Sequence, residues 1–251
     1  MSRRMHKESS SMDQPVPSAA ERPDVETTLV EKAYGVLRKA IVRGELLPGE
    51  KLKIDALQKQ HAISSSPLRE ALNRLTAEGL VTSEGNRGFR VAPISLDDLA
   101  DIVHLRIVLE RQAVEASIAE GGDDWEAGVV AAFYRLEREE KRIFEEQAPL
   151  NEEWSQRHRD FHMAMLSGGR SKRLINMVAN LFDQAERYRR LSAVYRKGPK
   201  NKSSEHKRLM DAVLSRDPAL AAERMREHVE KTAQNVVNAM KAKQAEAEPA
   251  E

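Results

Sequence analysis

The chain of 251 residues contains no cysteine, which excludes disulfides and thiolate chemistry and fits a cytoplasmic protein. Aromatic residues make up only 4%, and glycine and proline number 12 and 10. With Leu, Ala, Glu and Arg abundant, that scarcity argues for a mostly α fold rather than a β-rich or loop-rich one. No apolar run approaches the roughly 20 residues needed to cross a bilayer, so no membrane partner is expected. Arg3 and Arg4 are not followed by an apolar stretch, so the first residues do not form a signal peptide. Rich in Ser, Pro and charge, residues 1–27 read as a disordered tail.

The net charge of +1 conceals an asymmetry. Residues 28–94 carry 11 Lys/Arg against 7 Asp/Glu, whereas residues 95–251 carry 26 against 28. A basic front joined to a slightly acidic back suggests two domains, the first of them near a polyanion.

The front reads as three short helices and a ribbon. In "VEKAYGVLRKAIVRG" (30–44), Val30, Tyr34, Leu37 and Ile41 recur at helical spacing and Gly44 is a natural stop. "LLPGEKL" is a Pro-Gly turn between apolar anchors, and "KIDALQKQHA" (53–62) suits a second helix. "ISSSPLREALNRLTAEGL" gives a third, capped by Ser64 or Ser65, with Pro67 in its first turn and Leu68, Leu72 and Leu75 facing inward. "LVTSEGNRGFRVAP" then alternates around Glu84-Gly85-Asn86 as a two-stranded ribbon. Residues 28–94 are therefore expected to form a winged helix-turn-helix, with the third helix in the major groove of double-stranded operator DNA. Ser65, Ser66, Arg69, Asn73 and Arg74 on its outer face would meet phosphates or base edges, and Arg87 and Arg90 would do so from the ribbon. A plain solvated face would also account for Arg69 and Arg74.

"AYGVLRKAIVRGELLPGEKL", "SSSPLREALNRLTAEGLV" and "NRGFRVAP" closely resemble the N-terminal domain of GntR-family transcription regulators. The resemblance implies that Arg38 faces the DNA backbone and that Arg69 contacts DNA directly. Ser65 stands where many members of that family carry an arginine, so one strong base-reading donor is missing.

The back, residues 95–242, shows helical periods and no strand pattern, as an all-α bundle requires. Ser95 and Asp98 are spaced as a capping box for its first helix. Leu99, Ile102, Val103 and Ala113 mark that helix's inner face, and Arg106 and Glu110 fall within about 20° of its centre at 100° per residue. Either they form a buried bridge, or Arg106 projects into a ligand cavity and holds an acid's carboxylate. His104 lies well off that face and reads as surface. Further helical segments run at about 124–146, 151–167, 171–195, 203–215 and 218–242, making six in all, and a flexible C-terminal tail is expected over 243–251. In the fourth, Arg189 falls on the stripe of Val178, Leu181, Phe182, Ala185 and Tyr188, whereas Arg187 points away. Arg189 is thus a second candidate for an acidic effector, or an arginine whose stem packs while its head reaches solvent.

Four histidines sit on or beside apolar faces. His158 and His162, four apart, share the side of Trp154, Phe161 and Met165. His206 shares a face with Leu209, Met210 and Val213, and His228 lies at the edge of one with Ala221 and Met225. Converging neutral imidazoles suit a divalent transition metal, zinc first, with nickel or manganese as alternatives; they disfavour magnesium and calcium. No Glu stands between His158 and His162 to act as a base, so a hydrolase is poorly supported.

"LRIVLE", the "FH" and "EH" pairs and "RDPALAAERMREH" resemble the FCD ligand-binding domain of the FadR-type branch of GntR regulators. That resemblance implies six or seven helices around a cavity, often holding a metal through an Asp and three His. His162, His206 and His228 match the three histidines, and His158 stands at the Asp position. "GGDDWE" and "LFDQAERYRRL" are similar to the carbon-starvation-induced regulators that control glutarate and 4-aminobutyrate use, in which His also occupies that place. The expectation is a homodimeric repressor, not an enzyme. A small carboxylate or dicarboxylate effector would bind the metal together with Arg106 or Arg189. A purely structural metal is the rival reading, and a metal-dependent enzyme a remoter one.

Overall fold

The computed structural model describes residues 28–85, 88–193 and 203–247. The expected tail over 1–27, and Arg87, lie outside the described residues. The first helix, α1 (Leu29–Arg43), starts at Thr28, whose hydroxyl accepts the Glu31 N–H at 3.2 Å. It stops at Gly44, where φ of 75° is a conformation that glycine adopts without strain. After the Pro48-Gly49 turn come β1 (Lys51–Leu52), α2 (Ile54–His61) and α3 (Ser65–Ala77), with Ser64 at the N-cap position of α3. The hairpin β2 (Val81–Ser83) and β3 (Phe89–Val91) closes the unit.

The sheet has antiparallel order β1-β3-β2, with Leu52 opposite Phe89 and Val81 opposite Val91. The ribbon expected as two-stranded thus gains an edge strand from the stretch after Pro48-Gly49. Two residues are too few to show the alternation by which strands are read from sequence. Leu37, Ile41, Leu68, Leu72 and Leu75 fill the space beneath, and every buried residue of this core is apolar.

The second unit consists of α4 (Leu96–Glu120), α5 (Asp123–Glu145), α6 (Glu152–Leu166), α7 (Lys172–Ala193), α8 (Ser203–Leu214) and α9 (Pro218–Ala247). Ser95 caps α4 as expected, accepting the Asp98 N–H at 3.0 Å. Asn151 caps α6 in the same way, through Trp154 N–H at 2.8 Å. Gly121 ends α4 where a Cβ would fall 2.4 Å from the Trp125 ring, so no larger residue fits there without movement. The helix α9 continues to Ala247, so residues 243–247 extend it rather than begin a flexible tail. Val114, Leu136, Trp154, Phe161, Met165 and Val178 are central to the main core. No helix among the described residues is long and apolar enough to cross a membrane.

The two units meet along α7, which packs against α1, α4, α6 and α9. This explains a departure at Arg187, expected to point away from the core. It is buried, and its Nη2 donates to the Ala92 carbonyl at 2.5 Å, because the segment joining the units covers a second face of α7. Next to it, the Tyr188 hydroxyl accepts the Ser95 N–H at 3.2 Å and donates to Asp98.

Candidate functional site

Two sites emerge, one on the outside of the first unit and one inside the second. The outer site is a groove of about 840 Å³ between the wing and α2, lined by Lys51, Lys53, Lys59, Arg69, Gly85 and Phe89 among others. Ser66, Arg69 and Asn73 stand exposed on α3, with Ser65 half-buried at its start. Two other expected contacts are engaged within the unit. Arg74 bonds Glu31 at 2.7 Å and lies 4.2 Å over the Tyr34 ring, and Arg90 bonds Glu84 at 2.8 Å and the Gly49 carbonyl at 3.1 Å. Arg38, expected at the DNA backbone, lies instead between the units, bonded to Glu78 at 3.2 Å and Asp183 at 2.5 Å. The groove lysines are functional candidates that pattern reading passed over. Their signal is Lys51 and Lys53 flanking the first apolar residue after the turn.

Inside the bundle, α6 supplies His158 and His162, α8 supplies His206 and α9 supplies His228, all four buried. Each offers one ring nitrogen to a cluster whose members all lie within 4.8 Å of one another. Metal–imidazole bonds of about 2.1 Å put the nitrogens of a tetrahedral set roughly 3.4 Å apart, so the widest pairs draw closer when the four rings share one ion. The Nδ1 of His158 is buried and has no hydrogen-bond partner. Burial first, then neighbouring His162, His206, Arg189 and His228, push its pKa well below the ordinary 6.5. A neutral ring with available lone pairs is the form that binds a metal. The donor set therefore fits a divalent transition metal.

Carboxylates stand behind two of the rings. Glu140 Oε1 lies 2.9 Å from His206 Nδ1 and 3.3 Å from the Trp154 indole nitrogen. Glu205 Oε1 lies 2.8 Å from His228 Nδ1, while its second oxygen takes Lys231 at 2.5 Å. The Glu205 bond fixes the tautomer and orientation of His228 and leaves its Nε2 for the shared centre, whereas Glu140 stands close to His206 without completing a hydrogen bond. Glu140 was legible in principle, because it continues the inward spacing of Val129, Leu136 and Ile143 on α5. Glu205 was not, since it precedes His206 directly and only the approach of α9 gives it a role.

Of the two readings for Arg106, the structure shows the buried bridge, with Nε donating to Glu110 Oε1 at 2.6 Å. Arg189 is also buried rather than reaching solvent; it pairs with Glu186 and donates to Ser155 at 3.0 Å. Each nonetheless lies over an aromatic ring packed on the cage. Arg106 is 5.0 Å from the Phe182 centroid, and Phe182 lies 5.2 Å from the His162 ring. Arg189 is 4.4 Å over Trp154, which stacks on His158 at 4.5 Å. His104 is exposed, as expected.

A winged helix-turn-helix with a basic groove, followed by an all-α bundle that buries four imidazoles, is the architecture of a two-domain DNA-binding regulator. The chain belongs to the GntR family of bacterial regulatory proteins. That family's model matches residues 29–91, and the FCD domain model matches residues 101–231. It is 38% identical to the HTH-type transcriptional regulator BphR of Paraburkholderia xenovorans over 216 residues, 86% of each chain. It is 40% identical to the HTH-type transcriptional repressor GlaR of Escherichia coli over 200 residues, 78% of this chain and 90% of that one. In fold it is similar to McbR/YncC of E. coli, with a TM-score of 0.71 at 19% identity, covering 84% of this chain and 98% of that one. The family and these relatives are transcription regulators, not enzymes, with repressors among them.

Proposed function

We propose that this regulator is a homodimeric repressor whose operator affinity is set by a small carboxylate or dicarboxylate bound beside a transition metal in the bundle. The observation that carries this reading is the convergence of four buried imidazoles, one hydrogen-bonded to a carboxylate and one with a carboxylate beside it, with two arginines stacked on the rings that pack against them. Zinc is the preferred occupant, with nickel or manganese as alternatives; when bound, the ion supplies a Lewis-acidic positive centre for an acid's oxygens. His158, His162, His206 and His228 hold it. Arg106 and Arg189 orient the acid, exchanging their present partners Glu110 and Glu186 for the incoming carboxylate.

On the DNA side, Arg69 and Asn73 read base edges, while Ser65, Ser66, Lys51, Lys53 and Lys59 position the backbone. Arg74, Arg87 and Arg90 add charge around that face. Two-fold symmetry places two wings on two half-sites. Exposed Leu105 and Val108, one turn apart on α4, are apolar surface that a second copy would cover.

A rival reading, a metal that only holds the bundle together, draws on the internal pairing of both arginines. Fluorescence anisotropy on an operator duplex selected in vitro separates the two. The effector reading predicts that C4 to C6 dicarboxylates shift the Kd of the zinc-loaded protein and not of the chelator-stripped protein. Equal response, or none, in the loaded state favours the structural metal.

A further inference from the structure

The seam between the two units is polar and converges on one carboxylate. The Asp183 side chain, on α7, is 3% exposed, yet two arginines from different elements share it. Arg159 of α6 donates to both oxygens, at 2.9 and 3.1 Å. Arg38 reaches across from α1 and donates at 2.5 Å. The next residue, Gln184, donates its side-chain amide to the Glu78 carbonyl at 2.8 Å. Glu78 is the C-cap of α3, and its carboxylate takes Arg38 at 3.2 Å and the Tyr34 hydroxyl at 2.6 Å. Gln184 therefore holds the end of α3 directly, and Asp183 reaches it through Arg38 and the Glu78 carboxylate, while the other half of that helix carries Ser66 and Arg69.

The same joint lies one residue from the cage. Phe182, which precedes Asp183, packs 5.6 Å from His158 and 5.2 Å from His162. Arg159, which holds Asp183 from the α6 side, follows His158 directly. The rings on α6 thus adjoin Asp183 from two sides, through Phe182 and through Arg159. A buried carboxylate holding two guanidiniums through short charged bonds cannot turn without releasing one of them. Coupling between two sites needs an element that both sites bias.

We infer that Asp183, with Arg38, Arg159 and Gln184, is the joint through which the state of the imidazole cage sets the orientation of the recognition helix α3. This rests on the ligand-responsive reading above. It gives Arg38 a coupling role in place of the DNA contact expected of it.

Two full-length variants test the joint, Arg38→Gln and Asp183→Asn, with Zn²⁺ alone and Zn²⁺ plus succinate or glutarate as probes. Operator Kd is measured with and without each probe, and zinc content is measured separately. Wild-type protein should change its operator Kd by about fivefold or more. Both variants should take up zinc as wild type does, while their probe-dependent change falls below about twofold, the loss that releasing the coupling produces. Arg38→Gln keeps the result interpretable if Asp183→Asn fails to fold, because the Arg38 side chain is 22% exposed. Weaker operator binding by one common factor, with the wild-type ratio retained, would make Arg38 a plain DNA contact and overturn the joint. Lost zinc uptake in Arg38→Gln would also overturn it, since the residue would then be building the cage. A wild-type protein that ignores every probe would sink the ligand-responsive reading and the joint together.

Discussion

In the winged unit, the buried set from Ala33 to Val91 is entirely apolar, and the groups suited to DNA stand outside it in the groove and on α3. The bundle has an apolar core too, but buries polar groups beside it. Every buried polar or charged residue among the described ones lies there, the four histidines and Arg106, Glu110, Glu140, Asp183, Glu186, Arg187 and Arg189 among them. An apolar interior is held by the hydrophobic effect alone and leaves the surface to carry function. A polar interior costs desolvation unless its groups find partners, so it persists where those groups have work to do. One unit carries its polar groups on the exterior that faces DNA, and the other encloses a set of them.

The largest break in that contrast is expected from Leu72→Ala, which empties a fully buried position in the winged core. It should destabilise that unit by about 2–5 kcal/mol. Operator binding should fall with it while zinc content stays at the wild-type level; metal loss in step with unfolding of the wing would show that the units do not divide the work. Next, Glu205→Gln removes the carboxylate behind His228 without touching the apolar core. Metal affinity, read by competition with a chelating dye, should weaken by about 10–100-fold. An unchanged affinity would mean that Glu205 serves only Lys231.

The smallest effect is pH dependence of the metal-free protein. Because the His158 pKa lies below its ordinary 6.5 in the fold, the unfolded chain binds the extra proton first. Stability is complete above pH 6.5 and lost as pH falls below it, by at most about 1.4 kcal/mol per pH unit for this group. Denaturant midpoints at pH 7.5 and 5.5 measure it. Replacing His158 with Phe should flatten the slope, whereas an unchanged slope would assign it to other groups.

The contrast also explains what could be read from the chain. Three helices and a hairpin in the first unit follow from the spacing of Leu37, Ile41, Leu68, Leu72 and Leu75, since an apolar core leaves its period in the sequence. The bundle's six helices were legible for the same reason, as were His162 and His206 on apolar faces. What escaped depends on neighbours distant in sequence. Arg187 is buried by the segment around Ala92, Arg38 turns to Asp183 145 residues away, and Glu205 meets His228 only where α8 and α9 pack. The strand β1 escaped because two residues carry no period. For Arg106, periodicity located it inside but did not show its present partner, Glu110 one turn on.

X-ray absorption at the metal edge of zinc-loaded protein addresses the four-imidazole centre most directly. The account predicts one ion per chain with four nitrogen neighbours and the multiple-scattering pattern of imidazole, reduced in His162→Ala. A protein that binds no stoichiometric ion, or holds one through oxygens with fewer than three imidazoles, would contradict it.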